Sequence, residues 1–464
     1  MIAMEKSRFE SKEEILNFLE NEGKDVKFIN LLFPDILGEL RGFGIPSYEL
    51  EETFKEGKGF DGSSIEGLVR VEESDLLVSP NAETFRILPW KYEDCNNSFY
   101  RVGCLFCDIL NPDGTHNEGD TRYVLKRTLE KARKTGFSSF KVGPEIEFFY
   151  FKDSKNPTVL DKGDYFSMGI GDPYEYLRKK TSLGLLKMGI VSEYAHHEVA
   201  PSQHEIDLRY TDALEMADIA MLFRYIVKEF ARRDGIYATF MPKPINGENG
   251  NGMHVHQSLW KGEKNVFFSE NDKYHLSEIA KSYIGGLMTH INEITSILNQ
   301  WINSFKRLVP GYEAPVYIVW GQKNRSALIR IPEYKPGKEN AIRVELRSPD
   351  PGCNPYLAFS VMLAAGLKGI EERYELPPPC ENDIYNMTEE ERKNIGIKSL
   401  PGNLEEAVEI TKNSEIVRET LGEHLFKKFI ANKEAEIRNY REEMGHKYDA
   451  KVSPFEIEHN LPRL

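Results

Sequence analysis

At 464 residues, with 40% hydrophobic and 29% charged positions, the chain has the balance of a folded protein with room for two or three domains, each with its own core. A formal charge of −14 argues against nucleic acid or an anionic membrane as a general partner. The first residues, MIAMEKSRFE, hold no apolar stretch of leader length and no run later approaches a membrane span, so a cytoplasmic location is expected.

In chain order, Ser11 followed by Glu14 is a capping box opening ILNFLENEG, which predicts a first helix to about Gly23. Strand signals follow in VKFINLLF and ELRGFGIP, separated by the turn Pro34-Asp35. KGFDGSSIEG, residues 58–67, carries three glycines and two serines and is predicted to be a loop. Three further strand segments, LLVSP, TFRILPW and YRVGCLFCDIL, complete a small β-rich domain that should close at the NPDG turn, giving residues 1–115. The five cysteines are odd in number and unpatterned, and read as reduced packing residues.

From Asp120 the pattern changes. TRYVLKRTLEKARKTG predicts a helix with basic residues in its last turn and a stop at Gly136, followed by the strand GPEIEFF. No linker or repeat interrupts the rest, so residues 116–464 form one large domain. It closes with the helical segment HLFKKFIANKEAEIRNYREEM and an irregular tail, PFEIEHNLPRL, whose Phe455, Ile457 and Leu461 should dock elsewhere, on another subunit for example.

The chemistry is concentrated in five places. Glu145 and Glu147, one strand period apart, should face the same way and need something positive between them. SEYAHHEVAPSQHEIDLRY adds Glu193, His196, His197, Glu198, His204 and Glu205, without the HExxH or HxxEH order of a zinc protease. NGENGNGMHVHQSLW is a glycine-rich loop feeding a strand with His254 and His256 on one face; it is no P-loop, because a strand and not a helix follows. Between Phe305 and Arg347 stand nine Lys and Arg against four Glu, a local excess of positive charge that points to an anionic small substrate. IRVELRSPDP places Arg343, Glu345 and Arg347 together, a carboxylate between two cations.

Seven segments in this order carry a family resemblance: FDGSS at 60–64, GPEIEFF at 143–149, HHEVAPSQHE at 196–205, NGNGMHVHQS at 249–258, KRLVPGYEAP at 306–315, NRSALIRIP at 324–332 and RVELRSPDPGCNPYL at 343–357. The chain resembles the glutamine synthetases of prokaryotic type, and within them the shorter subtype that is not adenylylated. Tyr385 sits where other members carry the modified tyrosine, but its surroundings differ, and Asn340 replaces a lysine that those members place near the nucleotide.

The resemblance implies an α+β fold, a β-grasp-like N-terminal domain before a catalytic domain whose curved antiparallel sheet forms a funnel. It implies ligation of ammonia to the γ-carboxylate of glutamate through γ-glutamyl phosphate, at the expense of ATP; a γ-glutamyl-amine ligase or a catalytically dead homologue are the alternatives. Glu147, Glu198 and Glu205 would hold one divalent ion and Glu145, His254 and Glu345 another, an oxygen-rich set that suits Mg²⁺ or Mn²⁺. ATP would lie near Glu193, Tyr210, His256, Ser258, Arg330 and Arg343. Glutamate would lie near Asn249, Gly250, Arg307, Glu313, Arg325 and Arg347. Asp61 would take the proton from ammonium, Glu313 would close the glutamate entrance, and Arg325 would neutralise the phosphoryl group. Arg70 would take part in feedback by glutamine. The same resemblance implies a homo-dodecamer of two hexameric rings, and the effectors expected with it are glutamine, 2-oxoglutarate and small nitrogen-regulatory proteins.

Overall fold

A computed structural model describes residues 8–65, 67, 75–312, 314–381, 384–445 and 448–464; Arg70 and Glu313 lie outside the described residues. The architecture is α+β, with two sheets built in succession.

The N-terminal sheet has seven strands. Val26–Pro34 pairs antiparallel with Leu40–Pro46 and parallel with Phe99–Leu110, and Asp75–Pro80 joins on the other side of that long strand. The first helix, Lys12–Asn21, starts where the capping residue requires it, with Ser11 Oγ accepting the Glu14 N–H at 3.2 Å.

One expectation fails here. The first half of KGFDGSSIEG is not a loop: Lys58–Asp61 is an edge strand against Asp75–Pro80, with Phe60 opposite Leu76 and Asp61 opposite Asp75. The aromatic ring decides it, because Phe60 packs 5.1 Å from Phe33 and 6.2 Å from Phe43, and that burial outweighs the cost of glycine in a strand.

The second sheet has ten strands and is antiparallel except for one two-residue pairing. Its axis is Ser139–Phe151, flanked by Met253–Lys261 on one side and Gln203–Leu208 on the other. Phe148, Phe149, Tyr150 and Phe151 are all buried, and each buried phenylalanine contributes roughly 2–3 kcal/mol. That apolar end anchors the strand so that its middle, Pro144 to Glu147, can carry charge. The helices Glu278–Leu298 and Pro355–Glu372 pack closely behind the sheet; a Cβ on Gly286 would stand 2.2 Å from the Ala365 carbonyl. Between the two sheets runs the helix Thr121–Lys134, whose buried Arg122 donates to Asp108 of the first sheet at 2.6 Å and to Asp218 at 3.0 Å.

The C-terminal tail also departs from expectation. It is not irregular: Pro454–His459 is a short helix with Ser453 and Glu456 forming a capping box and proline in its first turn, a signal that was legible in SPFE. It docks on its own chain. Leu464 O accepts the Phe240 N–H at 2.9 Å, Leu461 O accepts from the Tyr237 hydroxyl at 2.6 Å, and Arg463 pairs with Glu39 in the turn between the first two strands. Phe455 and Leu461 are thereby buried without a partner chain. No helix among the described residues is long and apolar enough to cross a membrane.

Candidate metal and substrate site

Register brings the chemistry together. Across the antiparallel ladder Glu145 stands opposite His254 and Asp207, and Glu147 opposite Glu205. His256 stands opposite Glu345, which stands opposite Arg330. Segments up to 200 residues apart therefore present their polar side chains into one cavity of about 450 Å³, which both Glu145 and Glu147 line, as their strand spacing requires.

Two ligand-like groups lie in it, each with donor atoms within 4.8 Å of one another: Glu145, His254 and Glu345, and His196, Glu198 and Glu205. In the first, Glu145 accepts from His254 Nδ1 at 3.0 Å and from His256 Nε2 at 2.7 Å. Burial penalises its charge, but these two imidazoles outweigh that and hold the carboxyl far below the usual range. Glu345 is wholly buried and receives Arg330 at 2.8 Å and Arg347 at 3.0 Å. Burial opposes its ionisation, and its neighbours, the His256 ring and the Arg347 guanidinium first, more than compensate.

The second group is short of positive charge. Burial, followed by the carboxylates of Asp207, Glu147 and Glu145, pushes Glu205 well up, and Asp207 rises to about 6 chiefly through burial. Glu205 touches His196 Nε2 at 3.2 Å, and Glu198 lies 3.8 Å from His196 Nδ1. Crowded acidic oxygens in a buried cavity fit a hard divalent cation, and one imidazole per group is too little nitrogen or sulfur for a structural zinc site. Glu147 stands beside this group. One of its oxygens takes both the Gln203 Nε2 donor at 3.0 Å and the Gly252 N–H at 2.9 Å.

Glycines 250 and 252 have a definite use. A Cβ at 250 would lie 2.2 Å from the Pro242 carbonyl, and one at 252 would lie 2.6 Å from the Arg307 guanidinium. They make room for Arg307, a requirement of the protein's own side chain rather than of a phosphate. Arg307 is buried and donates to the Ser348, Pro349 and Arg347 carbonyls at 2.7, 3.2 and 3.2 Å. Three neutral partners fix it without cancelling its charge. Arg347 is buried too, and its Nε has no hydrogen-bond partner among the described residues. Asn249, Gly250 and the exposed Arg325 line the same cavity.

A second cavity, about 260 Å³, opens off the first and shares Glu145, Tyr194, His256 and Arg343 with it. Glu193, Tyr210, Ser258 and Asn340 line it. Arg343 Nε donates to His256 Nδ1 at 3.1 Å, so the ring's other nitrogen carries the proton given to Glu145. The two cavities thus meet at Glu145, while Arg330 belongs to the larger one. Asp61 lines neither: it is exposed at the end of its edge strand, and the Ser63 N–H at 2.8 Å holds its carboxyl below the ordinary range. Glu313 lies outside the described residues, between Tyr312 and Ala314, both of which line the larger cavity.

His196 and Gln203 are the residues that sequence reasoning left without a role. Each lies two positions before an acidic neighbour, Glu198 and Glu205, and the spacing that grouped Glu145 with Glu147 could have found both. Gln203 also donates to the Gly250 carbonyl at 3.1 Å, tying the carboxylates to the glycine loop.

Residues 25–112 match the family model described as glutamine synthetase, beta-Grasp domain, and residues 118–452 match glutamine synthetase, catalytic domain. A glutamine synthetase of Mycolicibacterium smegmatis is 48% identical over 97% of this chain and 99% of its own, and one of Methanosarcina mazei 46% identical over the whole of both. Among solved structures, a GmaS/ADP complex matches with a TM-score of 0.82 at 29% identity, covering 96% of this chain and 99% of that one. The Plasmodium falciparum glutamine synthetase has the same fold, with a TM-score of 0.83 at 24% identity over 97% and 99%.

Proposed function

The chain belongs to the glutamine synthetase family, and from that premise we propose that the two joined cavities carry out the family's ATP-dependent ligation of ammonia to the γ-carboxylate of L-glutamate. The observation that supports this placement is the pair of acidic ligand groups in the larger cavity, beside its arginines, one of which reaches the smaller cavity through Glu145.

Glu147, Glu198 and Glu205 would hold one divalent ion and Glu145, His254 and Glu345 the other. Bound there, Mg²⁺ or Mn²⁺ would neutralise charge on a transferring phosphoryl group. His196, on Glu205, orders the first set. ATP enters the smaller cavity, past Glu193, Tyr210 and Ser258, with Arg343 and His256 at its phosphate end. Glutamate occupies the larger cavity, its carboxylates on Arg307 and Arg347 and on the backbone at Asn249 and Gly250. Arg307 suits that task because its three carbonyl partners hold it in place and leave its charge for a carboxylate.

Arg330 and Arg325 then face the γ-phosphoryl group during transfer and stabilise the charge it develops. The γ-glutamyl phosphate so formed is the electrophile that ammonia attacks, releasing phosphate. Asp61 accepts the proton from ammonium, and Glu313 closes the glutamate side against water. Family members act as multimers; we place this chain in a dodecamer of the unadenylylated subtype. The site where that subtype differs is Tyr385, whose hydroxyl donates to the Ala314 carbonyl at 2.7 Å, which ties it to the rim of the glutamate cavity.

The test is phosphate release with ATP, glutamate and Mg²⁺, using ammonium or putrescine as acceptor. Phosphate and glutamine should form one to one with ammonium. Release driven by the amine and not by ammonium would overturn the reading.

A further inference from the structure

The C-terminal tail runs behind two elements that line the glutamate cavity, the loop before Asn249 and the helix that carries Arg307, and its polar contacts to them are selective. Asn246, exposed in the loop that leads to Asn249 and Gly250, grips one tail residue from both sides: its Oδ1 accepts the Val452 N–H at 2.7 Å and its Nδ2 donates to the Val452 carbonyl at 3.2 Å. Glu456 is completely buried. Its Oε1 accepts from Asn303 Nδ2 at 2.9 Å, while its Oε2 closes the capping box on Ser453. Asn303 immediately precedes the one-turn helix Ser304–Arg307, and it holds the Lys243 backbone by both its N–H, at 2.7 Å, and its carbonyl, at 2.9 Å. Lys306 completes the junction, with its ammonium on the Asp449 carbonyl and 4.1 Å from the Tyr448 ring centre.

The glycine loop and the Arg307 helix are some sixty residues apart in sequence, and they meet with no slack, as the Pro242 carbonyl and the Arg307 stem against Gly250 show. We infer that the tail segment 449–456 is a clamp that sets the glycine loop against Arg307, and that Asn246 and Glu456 are positioning residues for glutamate. This rests on the reading of Asn249, Gly250 and Arg307 as the glutamate subsite. Of the tail's other attachments, Arg463 on Glu39 reaches the turn before Leu40–Pro46 of the N-terminal sheet and touches neither element.

The experiment is steady-state kinetics of the full-length assembled enzyme, with glutamate and ATP varied separately. Glu456→Gln and Asn246→Ala should each raise the KM for glutamate about tenfold, because a displacement of under an ångström at a positioning contact has effects of this order, and leave kcat and the KM for ATP nearly unchanged. Asn246→Asp keeps the acceptor for the Val452 N–H but turns an oxygen toward the Val452 carbonyl, and should recover only part of the loss. Arg463→Ala should loosen the tail, seen as a lower Tm, without moving the glutamate KM. Arg307→Lys tests the underlying subsite. If it raises the glutamate KM while Asn246→Ala and Glu456→Gln do not, the clamp is refuted and the subsite stands. If Arg307→Lys leaves that KM unmoved, the subsite reading fails and the clamp with it. Equal changes in every parameter from all the tail variants, Arg463→Ala included, would reduce the tail to a structural prop and overturn the inference. Should Glu456→Gln fail to fold, Asn246→Ala decides, since that side chain is exposed.

Discussion

Glu345→Gln is expected to lower kcat about a thousandfold while leaving the fold intact, an effect of the size seen when a single electrostatic group is removed from a closed active site. Glutamine has nearly the same shape, so packing changes little, but its single amide oxygen can accept from Arg330 or from Arg347 and not from both, because the two donors reach different oxygens of Glu345. What disappears is the one negative charge between those guanidiniums and His254, in a side chain with no solvent exposure. His254 is already discouraged from protonation by burial and then by Arg347, and without Glu345 it faces more positive charge still. A divalent ion would then be held by Glu145 and His254 alone, against an unbalanced Arg347. Circular dichroism and Tm should stay close to wild type. Near-normal turnover in a folded Glu345→Gln protein would show that this carboxylate is not a ligand.

The second large effect concerns Asp61. Every proposed ligand lies in the larger sheet's cavities, whereas Asp61 is exposed on the N-terminal sheet and lines neither of them. If Asp61 serves catalysis, it must act on a neighbouring chain, and a head-to-tail contact of that kind closes into a ring. Asp61→Ala and Glu345→Ala should each be inactive when pure. Co-expressed, they should regain activity in about a quarter of their sites, because a working site needs an intact Asp61 from one chain and an intact Glu345 from the next, and each is present half the time. Mixed oligomers verified by mass that stay as inactive as either parent would contradict a shared site.

The local features were legible because local physics sets them. The capping of the first helix, the basic last turn of Thr121–Lys134 and the two-residue period of Glu145 and Glu147 depend on neighbours in sequence. KGFD was misread because its strand is stabilised by Phe33 and Phe43, remote in sequence, while its glycines argue locally for a loop. The partners of Glu345 show the same limit. Arg347 shares its segment, but Arg330 arrives through cross-strand register, and Arg343, expected beside Glu345, turns instead to His256. His196 was visible as a residue yet silent as a neighbour of Glu205, since the pairing that joins them is fixed only when the two strands form their hairpin. The tail was misjudged for a plainer reason: its capping box was overlooked, and its docking surface is assembled from Phe240, Trp301 and Glu39, which no short window contains together.

Two separate cation sites in one cavity bind two ions, and counting them is the direct test. Chelator-stripped protein dialysed against Mn²⁺ should retain two ions per chain, and the Glu345→Gln protein one, as the two donor groups require. A single ion in the wild type, or the same number in both proteins, would contradict the two-site reading.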